Sequence, residues 1–345
     1  MPSAKMPLQF QTLTTVPLSD KERISQTITP ENVAIALAAL HRDGIVCLSN
    51  AVDVTHIETL NTILSNEAEI MAKLSTTHFN DNSTDGRPTG NMSQGPPLKP
   101  ELMYRDIWAN GPAAKVISSI LGPNPHVNYV NGNTALGGFN GARQNVHADL
   151  SFNHGLFPFA LVANYYLVDT SPANGSTELW LGTHRDTSFA DHKNCQTDEP
   201  ITGEEAKFGI RNELLEARRE YAPPIQASVP KGSVVLRDLR LWHAGLCNPS
   251  PDPRIMLAFV HTPWWYQCPA KVVLPEAARE VVESWSKGDA PVVYDAHYVP
   301  AELDNKKVKF NPNFSSANQG YLSVLPDLPR GFVFGMDDVD VSVNA

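Results

Sequence analysis

The sequence predicts a mainly β protein with helical additions, built on a sandwich or jelly-roll core. Three observations carry this. From His126 onward, seven short β-forming stretches follow one another: 126–132, 142–148, 158–169, 177–182, 225–229, 233–238 and 254–262. Turn residues such as Asn174-Gly175 and Lys231-Gly232 separate most of them. Proline is abundant, at 28 of 345 residues, which favours loops and short strands over a helical bundle. Apolar residues at helical spacing lie mainly before residue 125.

Taken in order, residues 1–30 read as an irregular arm. A helix starts after Thr29, with Pro30 at its first position and Val33, Ala34, Ala36, Leu37 and Leu40 on one face. A strand follows over 44–48. Ile57, Leu60 and Leu64 mark a helix from Val54 to about Leu74. Residues 76–100 are rich in Asn, Gly, Ser and Pro and read as a long loop. A helix over 111–121 precedes the turn Gly122-Pro123-Asn124-Pro125. Within the β region a charged, helical insert spans Glu204 to Tyr221, and a last helix near 275–286 leads into a long irregular tail. One elaborated domain over 1–345 is expected: a helical N-terminal part and loop (1–125), a jelly-roll core (126–265) and a C-terminal extension (266–345).

Hydrophobic residues at 42% and charged residues at 19% support a sizeable core and exclude wholesale disorder. Lys and Arg number 27 against 37 Asp and Glu, a net charge of −10. That surface repels phosphate backbones, so nucleic acid is not an expected partner. The four cysteines (Cys47, Cys195, Cys247 and Cys268) form no CxxC pair, which fits a reducing compartment. The N-terminus lacks a secretory apolar region, no run of 18 apolar residues exists, and the ending VSVNA is not a peroxisomal tripeptide. A cytoplasmic protein without membrane contact is expected.

The chemistry concentrates in Arg143-Gln144-Asn145-Val146-His147-Ala148-Asp149. On a strand, residues i and i+2 project from one face, so His147 and Asp149 can converge on a metal. His243, just after the 233–238 strand, is the candidate third ligand. Two histidines and one carboxylate leave coordination positions open, which suits Fe(II). Arg254, eleven residues beyond His243, opens an apolar strand. Its guanidinium is a natural partner for a carboxylate; the alternative is a strand-end cap or a pair with Asp252 or Asp238. His154 offers a rival triad with His147 and Asp149, but a loop position is favoured. His184 and His261 read as structural.

The pieces HAD (147–149), NGSTELWLGTH (174–184) and HAGLCNPSPDPR (243–254) resemble the phytanoyl-CoA dioxygenase family. The middle piece is similar to the family's N-G-x-[TL]-x-x-x-P-G-[ST]-H segment, with Leu181 in place of the usual proline. The last piece matches H-x-G-x-x-N-x-S-x-x-x-R at His243, Gly245, Asn248, Ser250 and Arg254. The resemblance covers about residues 30–265, is strongest from 140 to 260, and looks most like fungal members that modify natural products. It implies a double-stranded β-helix (cupin-like) core and an Fe(II)- and 2-oxoglutarate-dependent dioxygenase that consumes O2, with ascorbate as reductant in vitro. His147, Asp149 and His243 align with the iron ligands, and Arg254 with the residue that holds the distal carboxylate of 2-oxoglutarate. Thr177 and Gln144 align with co-substrate contacts. Asn164 falls near a family tryptophan position beside 2-oxoglutarate and departs from it. Asp149 stands where related halogenases have Gly or Ala, which implies oxidation rather than halogenation.

For the substrate, Asn91 and Gln94 in the Gly86–Gly95 loop are candidate contacts; the alternative is a disordered loop. Trp264, with Trp265 and Tyr266, is assigned either to an apolar pocket wall or to packing of the C-terminal helix. Phe334 and Phe332 are assigned to pocket closure or to a homodimer contact. The expected reaction is oxidation of a C–H bond in a small molecule, a secondary-metabolite intermediate or an amino acid, by hydroxylation, desaturation or ring formation, with release of succinate and CO2. The alternatives are a non-catalytic jelly-roll binding protein and a cupin-like isomerase or hydrolase using Zn or Mn.

Overall fold

The computed structural model describes residues 11–80, 83, 85–141, 143–150, 156–193, 209–266, 271–300 and 302–306. The N-terminal elements are β1 (Thr15–Pro17), α1 (Asp20–Ser25), α2 (Pro30–Asp43), β2 (Ile45–Ser49), α3 (Val54–Met71), β3 (Asn91–Ser93), α4 (Arg105–Trp108) and α5 (Gly111–Leu121). The central ones are β4 (His126–Ala135), β5 (Leu161–Tyr166), β6 (Glu178–Leu179), α6 (Asn212–Arg219), β7 (Ile225–Gln226), β8 (Val234–Asp238), β9 (His243–Ala244) and β10 (Arg254–Thr262). β11 (Val272–Pro275), α7 (Arg279–Ser284), β12 (Val293–Tyr294) and β13 (Ala296–Val299) follow.

The helices begin where the sequence places caps. Thr29 accepts a hydrogen bond from the Asn32 backbone N–H at 3.3 Å, and Pro30 fills the first helical position of α2. In α3, Ile57, Leu60, Leu64, Ala68 and Met71 form the buried stripe. The large sheet runs β1-β2-β8-β5-β10-β4-β12, with β3 added against β4. Its β2-β8-β5-β10-β4 centre is antiparallel. A second sheet, β7-β6-β9, faces it. Together they make a jelly-roll core.

Strand alternation divides the large sheet into two faces. Val234 and Leu236 of β8, Leu161, Ala163 and Tyr165 of β5, and Ile255, Leu257 and Phe259 of β10 pack with α2, α3 and α5 in the main hydrophobic cluster. The opposite set includes Val235 and Arg237, Val162, Asn164 and Tyr166, and Arg254, Met256, Ala258 and Val260. These turn toward the small sheet, where Tyr166, Val235, Leu179, Leu181 and Leu241 share a second cluster. This inner face carries several polar groups. Asn164, Arg237 and Arg254 lie there.

Four expectations need correction. The 1–30 arm is not irregular throughout: β1 pairs in parallel with β2, and the Ser19 capping box starts α1. The 142–148 stretch is not a strand: it is held by separate bridges, Ser83 to Gln144, Arg143 to Leu246 and His147 to His243. The 76–100 loop contains a strand, because Asn91–Ser93 pair with Asn133–Ala135. Residues 89–92 and 94–98 are buried, which excludes a disordered loop there. The tail is also not irregular throughout: β12 extends the large sheet beside β4, and β13 pairs with β11. Tyr294 of β12 and Trp285 pack against the buried Trp108, with ring centroids 5.9 and 6.1 Å away. The large sheet thus takes strands from the N-terminal part, the core and the C-terminal extension. Of the 204–221 insert, residues 204–208 lie outside the described residues, and α6 accounts for the helix.

Two predictions follow from the scaffold. Gly44 ends α2 at φ +78°, and a Cβ there would lie 2.5 Å from His184 Nδ1 and 3.0 Å from Leu241 Cδ1. Gly44→Ala should therefore destabilise the protein by more than the about 1–2 kcal/mol of the left-handed conformation alone. A wild-type urea midpoint would contradict this. His261 is 5% exposed, and burial depresses its pKa from 6.5 to about 4 while its Nδ1 donates to Phe259 O. The unfolded chain takes that proton first, so stability falls as pH drops from about 6.5 toward 4, by on the order of 3 kcal/mol from this residue. His261→Asn should flatten the stability curve over that window.

Candidate active site

β9 is the hub of the site. On one side Leu179 of β6 pairs with His243. On the other, His147 N–H donates to His243 O and His243 N–H to His147 O, both at 2.9 Å. Two residues on, Asp149 N–H donates to Leu239 O at 3.0 Å, so the chain bends around the β8–β9 turn. The two imidazoles lie 4.4 Å apart between centroids.

Each histidine offers the same face. His147 Nδ1 lies 2.8 Å from Asn145 O, and His243 Nδ1 lies 3.0 Å from Leu241 O. A carbonyl can only accept, so the ring proton belongs on Nδ1 and the Nε2 lone pair turns inward. Asp149 Oδ1 lies 3.6 Å from His147 Nε2 and 3.5 Å from His243 Nε2. One ligand atom from each residue falls within 4.8 Å of the others, a group able to hold a metal ion. Burial pushes both histidine pKa values down, which keeps the imidazoles neutral. Burial alone would raise Asp149, but the Arg237 guanidinium outweighs it and holds the carboxyl below its usual range.

Arg237 was not among the residues singled out from the sequence. Its Nη2 donates to Asp149 Oδ2 at 2.6 Å. Its Nη1 lies 3.3 Å from His243 Nδ1; with Nδ1 protonated, both are donors, and the contact is packing. The available signal was a charge inside the apolar run Val234-Val235-Leu236-Arg237. Tyr129 was also missed. Burial, and less so the Asp149 charge, raise its phenol against the pull of the Asn131 hydrogen bond.

Arg254 opens β10 on the inner face and is 1% exposed. Its Nε, Nη1 and Nη2 are buried with no hydrogen-bond partner among the described residues. Neither candidate acid pairs with it, and Asp238 is bound instead by Arg240 at 2.9 and 2.7 Å. Burial raises the Tyr166 phenol, while Arg254, a hydrogen bond with Thr177 and Arg237 pull it down. Tyr166 therefore lies near both arginines, and Thr177 lies against Tyr166.

The other candidates divide. Asn164 lies buried on the inner face of β5, opposite Ala258. Gln144 accepts from Gly245 N–H at 2.8 Å and donates to Asn80 O at 3.2 Å, so its amide braces the scaffold. Gln94 donates to Leu64 O at 2.8 Å and accepts from Thr134 Oγ1 at 2.6 Å, which commits it to the core rather than to a substrate. Asn91 is buried and donates to Leu246 O at 3.2 Å, and its Oδ1 has no partner. Trp264 is 58% exposed, unlike its two neighbours. Trp265 and Tyr266 turn inward instead, beside Leu150, Phe159, Val162 and Val260. His154, Phe332 and Phe334 lie outside the described residues.

Among the described residues no helix is long and apolar enough to cross a membrane. The phytanoyl-CoA dioxygenase (PhyH) family model matches residues 40–256, more than half of the chain. Several solved structures resemble the chain at low identity. The epimerase SnoN, in complex with Fe3+, alpha ketoglutarate and nogalamycin RO, is 16% identical, with 78% of this chain and 96% of that one covered and a TM-score of 0.49. EctD from S. alaskensis, with 2-oxoglutarate and 5-hydroxyectoine, is 17% identical over 76% and 84% of the two chains, with a TM-score of 0.47. The non-heme monooxygenase ThoJ, in its apo form, is 17% identical over 66% and 77%, with a TM-score of 0.44. The family match carries the assignment: the chain belongs to the phytanoyl-CoA dioxygenase family and is a non-haem iron, 2-oxoglutarate-dependent enzyme.

Proposed function

We propose that the protein oxidises a C–H bond of a small molecule, a secondary-metabolite intermediate or an amino acid, by hydroxylation, desaturation or ring formation, while 2-oxoglutarate becomes succinate and CO2. The observation that supports it is the convergence of His147, Asp149 and His243 in a site whose inner sheet face also carries a buried, unpartnered Arg254. The donor set fits Fe(II): two imidazole Nε2 atoms and one carboxylate oxygen would hold it and leave positions for exogenous ligands. When bound, the metal supplies the oxygen-activating redox chemistry.

The protein groups divide the remaining work. The Arg254 guanidinium would take the distal carboxylate of 2-oxoglutarate, with Tyr166 near it and Thr177 against Tyr166. Arg237 balances the Asp149 charge. Phe159 and Trp265, with ring centroids 5.4 and 6.2 Å from that of Tyr266, form with it and Leu150 an apolar cluster that would keep water from the site. That surface and the net charge of −10 favour a compact organic substrate over a CoA thioester. We also assign the protein to a reducing, cytoplasmic compartment, consistent with free Cys47 and Cys247.

Succinate formation with Fe(II), ascorbate, O2 and 2-oxoglutarate tests the reading. It should disappear in His147→Ala, Asp149→Ala and His243→Ala. Retained turnover in His243→Ala would overturn this triad. Turnover without O2 or 2-oxoglutarate would favour a Zn or Mn isomerase or hydrolase. Arg254→Ala should raise the apparent KM for 2-oxoglutarate by roughly thirtyfold or more, as expected for a charge-assisted pair worth at least about 2 kcal/mol. Arg254→Lys should recover only part of it, because an ammonium lacks the planar fork.

A further inference from the structure

Arg237 is buried, at 8% exposure, and its place is set by sheet register: Val162 of β5 lies on one side and Ile45 of β2 on the other. Alternation turns Arg237 toward the small sheet and Asp238, the next residue, toward the helices. Each then finds its own ion pair. Asp238 takes Arg240, and Arg237 takes Asp149. The contact to Asp149 uses one oxygen only. Oδ2 accepts from Arg237 Nη2 at 2.6 Å, and Oδ1 is the atom turned to both histidines, at 3.5 and 3.6 Å.

Asp149 has little else to hold it. It lies beyond the His147–His243 bridge in a segment with no regular ladder, and its side chain is 27% exposed. A carboxylate so placed can rotate either oxygen, or both, toward a cation. Arg237 removes that freedom from a rigid central strand.

We propose that Arg237 is a positioning residue that divides the two oxygens of Asp149, presenting one to the metal, and that the metal affinity of the chain depends on it. This rests on the metal site proposed above. Arg237 reaches no metal itself; it acts through Asp149, as partners behind metal ligands do.

Titration of the metal-free protein with Co(II) tests this without turnover. The wild type should bind. Arg237→Gln should weaken binding by about 10- to 100-fold. Arg237→Lys should lose less, since it keeps the charge but not the fork. Arg240→Gln is the control: it breaks a more deeply buried ion pair on the opposite face, and should lower the thermal midpoint while leaving Co(II) affinity within about twofold. Wild-type affinity in Arg237→Gln would overturn the proposal. An equal loss in Arg240→Gln would also overturn it, because the effect would then be general destabilisation. If Arg237→Gln does not fold, Arg237→Lys decides: unchanged affinity in that variant overturns the proposal. A wild type that binds no Co(II) would instead remove the metal site, and this role with it.

Discussion

One antiparallel bridge organises this molecule's chemistry. His147 and His243 exchange two backbone hydrogen bonds of 2.9 Å, and a directly opposed pair places both side chains on the same side. The imidazoles are thereby brought side by side before any metal is considered. The bridge joins a bent segment to β9, which β6 anchors from its other edge. Asp149 reaches the same point because its N–H bonds to Leu239 O at the β8–β9 turn. Without the bridge, the three donors would belong to unrelated loops.

Charge balance completes the site from behind. Four ions lie close together around the β8 end, and they form two matched pairs on opposite faces of the sheet: Arg237 with Asp149, and Arg240 with Asp238. Arg254 is the exception. A buried guanidinium with three unpartnered nitrogens is costly, more so than the about 1–3 kcal/mol of a neutral unsatisfied group. A dicarboxylate that pairs with it converts that cost into binding energy, which is the physical basis for assigning 2-oxoglutarate to this end of the inner face.

The residues of the H-x-G-x-x-N-x-S-x-x-x-R motif each have a distinct physical task. Gly245 is small because the Gln144 carboxamide oxygen would lie 2.5 Å from any Cβ. Asn248 donates to Ala135 O at 3.1 Å and to Asp252 O at 2.7 Å, pinning the loop to β4. Ser250 Oγ donates to Asn248 Oδ1 at 2.6 Å and fixes that amide. The spacing from His243 to Arg254 is therefore the length of a braced loop, which delivers the guanidinium to the start of β10. His243 and Arg254 share one segment because one brace positions both.

The sequence alone determined the elements whose cause is local. Thr29-Pro30 starts α2, the Ile57, Leu60, Leu64 stripe makes α3, and the apolar runs of β8 and β10 are strands. Residue type and spacing also nominated His147, Asp149, His243 and Arg254 as candidates. Tertiary structure decided the rest. His147 and Asp149 converge through isolated bridges rather than through a strand, since the partner that orders them is distant in sequence. Gln94 and Trp264 could not be placed from local pattern, because whether a polar or aromatic side chain meets core, solvent or ligand depends on which segments fold against it. Arg237 shows the same limit. Its charge in an apolar strand was visible, but its partner Asp149 became known only when register turned it toward β9, and burial then made that pairing obligatory.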